Sequence, residues 1–201
     1  MKFTGPKVKL SRQLGIALTP KASKYLERKP HPPGQHGRTR RRNAKMSDYK
    51  RQLLEKQKLR AQYNIHERQM RNYYRKASKK TGSTADNLIQ LLESRLDAVV
   101  LRGGLARTIY QARQFVNHGH IAVNGKRVDI PSYQVRTGDV VSVVEGSRKI
   151  PGFTQSLRSA RPPGYVSLSK PDLAVTLLNL PLRDDVQVIC EISQVIEYYS
   201  R

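Results

Sequence analysis

The 201-residue sequence predicts an α+β fold: a basic extended N-terminal arm, a helical domain completed by a C-terminal return, and a small inserted module of helices and mainly antiparallel strands. Three observations predict it. Apolar residues recur at helical spacing through residues 46–118, and from Ile121 onward they give way to short alternating runs broken by turn residues. The third is charge. Residues 1–80 hold 24 Lys or Arg against four acids, whereas residues 81–145 hold seven against six and residues 146–201 seven against five.

Residues 1–45 form the arm. Their apolar residues are scattered, Pro stands at positions 6, 20, 30, 32 and 33, and Arg38, Arg40, Arg41, Arg42 and Lys45 make a basic run, so this segment is expected to order on a partner. In Lys29-Pro30-His31-Pro32-Pro33-Gly34-Gln35-His36-Gly37 the prolines stiffen the chain and the two glycines permit close backbone approach.

Residues 46–86 form the helical part. Ser47 caps a segment with Tyr49, Leu53, Leu54 and Leu59, and Lys50, Arg51, Lys56, Lys58 and Arg60 load its exposed sides. Ile65 to Lys80 interleaves Arg68, Arg71, Arg75 and Lys76 with Tyr73 and Tyr74, rings that either pack internally or stack on splayed bases. The glycine-containing stretch from Lys79 to Thr84 makes a boundary.

The module spans residues 87–150. Ser83 with Asp86 caps a helix that carries Leu88, Leu92, Leu96 and Val99 and runs to Leu101. Thr108 and Gln111 mark a capping box, and Gly119 a left-handed stop, for a second helix. Ile109, Ala112, Phe115 and Val116 face its core; Arg107, Gln111, Gln114 and His118 fall on another side, with Arg113 and Asn117 beside them. Replacing Arg113 and Gln114 with alanine should therefore weaken polyanion binding with little loss of fold. Ile121, Val123 and Asn124-Gly125 then announce a strand and a type I′ turn ending in Lys126-Arg127, with Val128 and Ile130 continuing the run. Pro131-Ser132 interrupts, and Val140 to Val144 supply a last strand. Ile150 to Pro163 then reads as a connector, and within residues 151–201 the alternation of Val186, Val188, Cys190 and Ile192 reads as a strand returning to the helical domain.

A formal charge of +23 and a pI near 10.5 point to polyanions. No apolar run is long enough for a signal peptide or spanning helix, so no membrane partner is expected. Cys190 is the only cysteine, which excludes an internal disulfide and a cysteine-cluster zinc site, and the five histidines do not supply metal-ligand spacing. No P-loop, dinucleotide glycine pattern or local nucleophile–base constellation is present, so catalytic residues, metal and cofactors are all expected to be none.

The phrases LESRLD at Leu92 to Asp97, ARQFVNHGHIAVNGKRVDIPSY and GDVVSV resemble the small RNA-binding module named after small-subunit ribosomal protein S4. KYLERKPHPPGQHG, SDYKRQLLEKQKLRAQYNIHERQMRNYYRKA and LPLRDDVQVICEISQVIEYYSR extend the resemblance to the bacterial-type S4 family over nearly the full chain. Some members carry a four-cysteine zinc site in the N-terminal region; this chain has no cysteine there. The resemblance implies a structural protein of the small ribosomal subunit that binds 16S-type ribosomal RNA at a 5′-domain multi-helix junction early in assembly. It further implies a position near ribosomal protein S5 and the messenger RNA entry path, an influence on decoding accuracy, and a cytoplasmic or organellar ribosome as location.

RNA contacts are expected from Lys7, Lys9, Arg12, Lys29, Pro33, Gly34, Gln35, His36 and Gly37, and from the basic run Arg38, Arg40, Arg41, Arg42 and Lys45. The helical part adds Tyr49, Lys50, Arg51, Lys58, Arg60, Arg68, Arg71, Tyr74 and Arg75; the module adds Arg107, Thr108, Gln111, Arg113, Gln114, Asn117, His118, Lys126 and Arg127. Two alternatives use the same module. One is an RNA-modifying enzyme, because Arg95-Leu96-Asp97 resembles the triplet at the catalytic Asp of a pseudouridine synthase class; the other is a free-standing ribosome-associated RNA chaperone. Asp97 lies in a predicted helix with no separate catalytic domain left over, which favours a structural or ion-pairing role.

Overall fold

The computed structural model describes residues 3–37, 46–186 and 188–200. The chain divides into two compact units, Met1–Arg75 with Val188–Arg201, and Lys76–Gln187.

In the first unit the described part of the expected extended arm, residues 3–37, is mostly helical. Helix α1 (Lys7–Leu14) ends on Gly15 at φ 71°, and α2 (Pro20–Arg28) starts from Thr19, whose side chain accepts from the Ala22 N–H. Pro20, which in the sequence reads as a breaker, sits at the first helical position, where no amide hydrogen is needed. Leu14, Ile16 and Ala22 are buried, so the few apolar residues suffice to pair the two helices. Lys29 to Gly34 is irregular before a 3-10 turn at Gln35–Gly37. The basic run from Arg38 to Lys45 lies outside the described residues.

Helix α3 (Asp48–Gln62) is capped by Ser47, and α4 (Glu67–Ser78) follows after Asn64 at φ 49°. The alternation from Val186 to Ile192 predicts a strand; the described residues there form none. Ile192 instead opens a helix, Ile192–Ser200, which lies against α3 with Ile192 and Val195 buried. The alternation arises by accident of overlap, and the three-residue spacing Ile192–Val195 carries the true period. Cys190, expected in a buried strand, stands at a half-buried bend.

The second unit corrects the first long helix. It breaks at Ser94 and Arg95 into α5 (Thr84–Glu93) and α6 (Leu96–Arg102). The break is held by backbone hydrogen bonds to the 131–135 loop: Leu96 N–H to Tyr133 O (2.9 Å), Asp97 N–H to Pro131 O (3.2 Å) and Val135 N–H to Ser94 O (2.8 Å). Helix α7 (Ile109–Asn117) leads into β1 (Ile121–Val123), the Asn124-Gly125 turn with φ of 49° and 78°, and β2 (Lys126–Arg127). The strand stops there rather than continuing to Ile130, which is exposed.

Strand β3 (Val140–Val143) pairs with β1 on one side and, on the other, with a strand from the C-terminal segment. The supposed connector at 150–163 is in fact helix α8 (Pro151–Arg158), and β4 (Val166–Ser169) and β5 (Ala174–Leu177) follow it. The antiparallel sheet has the order β2-β1-β3-β5-β4, with Val141 opposite Val175. Residues 151–187 therefore belong with the second unit, and only the stretch from Val188 returns to the first; β3 would otherwise present an unpaired edge. The helix Ile192–Ser200 is α9.

Candidate nucleic-acid interface

The first unit builds its basic face on an ion-pair network. Glu67 accepts from Lys56 Nζ (2.9 Å), Arg60 Nη1 (3.2 Å) and the Tyr199 hydroxyl (2.7 Å). Lys56, expected on an exposed side of α3, is buried, with its ammonium 4.4 Å from the centre of the Tyr198 ring. Lys58 pairs with Glu55 at 2.6 Å. Three of the five cations assigned to the surface of α3 are thus engaged within the unit, while Lys50 and Arg51 are exposed, Arg51 3.8 Å from Asp48. On α4, Arg68, Arg71 and Arg75 are exposed, and Tyr74 stacks on Tyr199 at 5.1 Å.

Burial opposes ionisation of Glu67, but the hydrogen bonds from Lys56 and Tyr199 and the charges of Lys56 and Arg60 outweigh it and hold the carboxyl below its usual range. Burial and the adjoining carboxylate push the Tyr199 hydroxyl far up, which keeps it a donor. A carboxylate with a depressed folded-state pKa contributes stability that is present above its unfolded value, about 4.3, and is lost as pH falls through the folded value. Glu67→Gln should therefore flatten the acid limb of the first unit's stability profile. At neutral pH the loss should be about 2 kcal/mol, below the ~3–5 for breaking a fully buried pair, because the side chain is 35 % exposed. Urea denaturation followed by circular dichroism between pH 3 and 7 checks both; an unchanged acid limb would show that Glu67 does not hold the network.

Arg12 orders the proline segment. Its guanidinium donates to Lys29 O (3.3 Å) and His31 O (3.0 Å), so it acts as a brace for the arm. Gly34 takes φ 105°, and a Cβ on Gly37 would stand 2.0 Å from Pro32 O, so each glycine answers a separate steric demand. Lys7, Lys9, Lys29 and Gln35 are exposed and Pro33 is half-buried.

In the second unit, the Thr108 hydroxyl accepts from Gln111 N–H (3.2 Å), and Gln111 Oε1 accepts from Arg107 N–H (2.9 Å), one residue before the usual capping-box donor. Along α7, Arg107, Gln114, Asn117 and His118 are exposed and Gln111 is half-buried. Arg113 departs from them: its side chain is only 14 % exposed and lies 3.8 Å from Asp97 Oδ2. The double alanine substitution of Arg113 and Gln114 would therefore disturb the fold as well as the face. At the far end Arg127 donates to His118 O (3.5 Å) and lies over Gly119, where a Cβ would come within 2.1 Å of Nε. Gly119 at φ 71° thus serves both the helix stop and this close approach, which groups Arg127, His118 and Asn117 at one end of α7. Lys126 is exposed beside them. The buried side of α7 is closed by α8, whose Phe153 ring stands 4.2 Å from Phe115.

Asp97 has no opening to a substrate. It is fully buried, and Arg95, equally buried, donates to it from Nε (2.9 Å) and Nη2 (2.6 Å). Nearby, buried Glu93 accepts from Arg102 and from the Tyr165 hydroxyl (3.0 Å), tying α5 and α6 to the start of β4. No group of three or more His, Cys, Asp or Glu able to hold a metal occurs among the described residues. Burial, aided by Glu55, pushes the Cys190 thiol up to about 12, so it is not a reactive thiolate.

Two units that display arginines, lysines and amides in a chain of net charge +23, with Glu67, Glu93 and Asp97 each held in an ion pair, have the make-up of a nucleic-acid-binding protein. The family model described as "Ribosomal protein S4/S9 N-terminal domain" matches residues 2–93, and the one described as "S4 domain" matches residues 94–141. Proteins called "Small ribosomal subunit protein uS4" are similar over almost all of the chain. That of Micrococcus luteus is 52 % identical over 200 residues, covering 96 % of this chain and 95 % of its own. Those of Streptomyces avermitilis (53 %, 98 % and 97 % covered) and Thermobifida fusca (47 %, all of both chains) agree. The chain belongs to the uS4 family of structural, RNA-binding ribosomal proteins.

Proposed function

We propose that this protein binds small-subunit ribosomal RNA of the 16S type at a multi-helix junction of the 5′ domain, nucleates assembly of the small subunit in the cytoplasm, and later lies near ribosomal protein S5 and the messenger RNA entry path. The observation that carries this reading is the charge partition, 24 cations against four acids in residues 1–80, with exposed Arg68, Arg71 and Arg75 on one helix. Phosphate neutralisation is then led by the first unit. The amides and cations of α7 and β2 suit the ribose hydroxyls and phosphates of an RNA minor groove, which give shape and register.

Footprinting of the full chain on complete small-subunit ribosomal RNA tests the reading. Protections should cluster at one junction, and Gln114→Ala should weaken binding several-fold without changing the circular dichroism spectrum. Full affinity and unchanged footprints in that variant would remove α7 from the interface. The chain should also stay stoichiometric on subunits through a high-salt wash; reversible release would favour a free-standing factor. The enzymatic alternative has no support in the Asp97 site, and mass spectrometry of incubated RNA should find no Asp97-dependent change.

A further inference from the structure

An open cleft of about 470 Å³ in the first unit is lined by Tyr49, Arg71, Tyr74, Arg75, Tyr198 and Tyr199. We propose that it is a receptor for a single unstacked RNA nucleobase, with the adjoining phosphates held by Arg71 and Arg75. The inference rests on the RNA-binding reading above and assigns a distinct subsite within it.

The chemistry of the lining selects this occupant. Four phenol rings offer π faces, two guanidiniums one helical turn apart offer charge, and none of the six residues is an acid. A ligand that fits must be flat, polarisable and attached to an anion, which is the description of a nucleotide in an unpaired strand. The rings are also held in place beforehand. Tyr74 and Tyr199 stack at 5.1 Å with planes 27° apart, Tyr49 and Tyr198 lie 5.9 Å apart, and Tyr198 meets Tyr199 nearly at right angles (88°). Glu67 fixes the Tyr199 hydroxyl, and the buried Lys56 ammonium lies against the Tyr198 ring. Little ordering remains to be done when a base arrives. Tyr49, on the first turn of α3, is the open wall, 52 % exposed.

The test uses the full chain and a transcript of the complete small-subunit ribosomal RNA, with filter binding at several salt concentrations. Tyr49→Ala should weaken binding roughly 5- to 150-fold, the range for loss of one base–aromatic stack, by the same factor at every salt. Tyr49→Phe should bind like the parent, since the ring and not the hydroxyl does the stacking. Arg71→Gln should instead lower the magnitude of the log affinity against log salt slope by about 0.7–1. A photoreactive benzoyl-phenylalanine at position 49 should crosslink to one nucleotide in reconstituted subunits. With circular dichroism intact, parental affinity in Tyr49→Ala, an equal loss in Tyr49→Phe, or a crosslink to a protein would overturn the subsite while leaving the RNA reading standing. Failure of the parent chain to bind the transcript would overturn both.

Discussion

Deleting residues 1–45 should weaken binding to small-subunit ribosomal RNA by orders of magnitude and flatten its salt dependence, while the second unit stays folded. The deletion removes Arg38, Arg40, Arg41, Arg42 and Lys45 together with Lys7, Lys9, Arg12 and Lys29 and the glycine-proline segment. Each phosphate deprived of its cation should take about 0.7–1 from the slope of log affinity against log salt. If most of these cations reach phosphates, the slope changes by several units, and the affinity difference widens as salt is lowered. Because α1 and α2 pack through Leu14, Ile16 and Ala22, the deletion also removes an ordered platform, so part of the loss should persist at high salt. Filter binding over a salt series measures both components. Equal affinity and equal slope would mean that the arm is a passive tail and that the charge partition has been misread.

The second large effect is on stability. Asp97→Ala should destabilise the second unit by about 3–5 kcal/mol, because Arg95 would keep a buried guanidinium without its carboxylate partner. The damage should spread, since Leu96 and Asp97 also anchor the 131–135 loop through their backbone amides. Urea titration of the full chain, with hydrogen exchange at Leu96 and Val135 as local reporters, reads the loss. A joint replacement of Arg95 and Asp97 by apolar residues of similar size should recover much of it. A single Asp97→Ala variant that unfolds at the parental midpoint would show that the pair contributes nothing to the fold.

Local rules made α7 and its surroundings legible in advance. The Thr108 cap, the glycine stop at Gly119 and the paired positive φ at Asn124 and Gly125 each depend on a few neighbouring residues, and each appears in the structure. Decisions made by distant partners were not legible. Arg95 breaks a run with good helical periodicity because Asp97 and the 131–135 loop recruit it. Strands β4 and β5 look like generic extended pieces until β3 supplies an edge for Val175.

The same distinction governs the candidate interface. A Lys or Arg in a helix reads as solvated until an acid elsewhere claims it, as Glu67 claims Lys56 and Arg60 and Asp97 draws in Arg113. Gln114, Asn117, His118 and the arginines of α4 stay at the surface, and their exposure follows the helical period. The cleft at Tyr49 was half visible: Tyr49 and Tyr74 stand out as rings among the arginines, but Tyr198 and Tyr199 sit on a helix that follows the stretch 186–192, whose alternation points to a strand.

The return of α9 to α3 sets an order of events during synthesis. The chain is made from the amino end, so all five strands of the second unit have been made once Leu177 is in place. Helix α3, made more than a hundred residues earlier, must wait for residues 192–200 before the side that carries Tyr49, Gln52 and Lys56 is covered. Tyr198 and Tyr199 arrive in the same stretch, and Tyr199 brings the hydroxyl that completes the shell around Glu67. A helix made early is thus finished last, and a chain interrupted between these points would carry a complete sheet and a first unit without its closing helix.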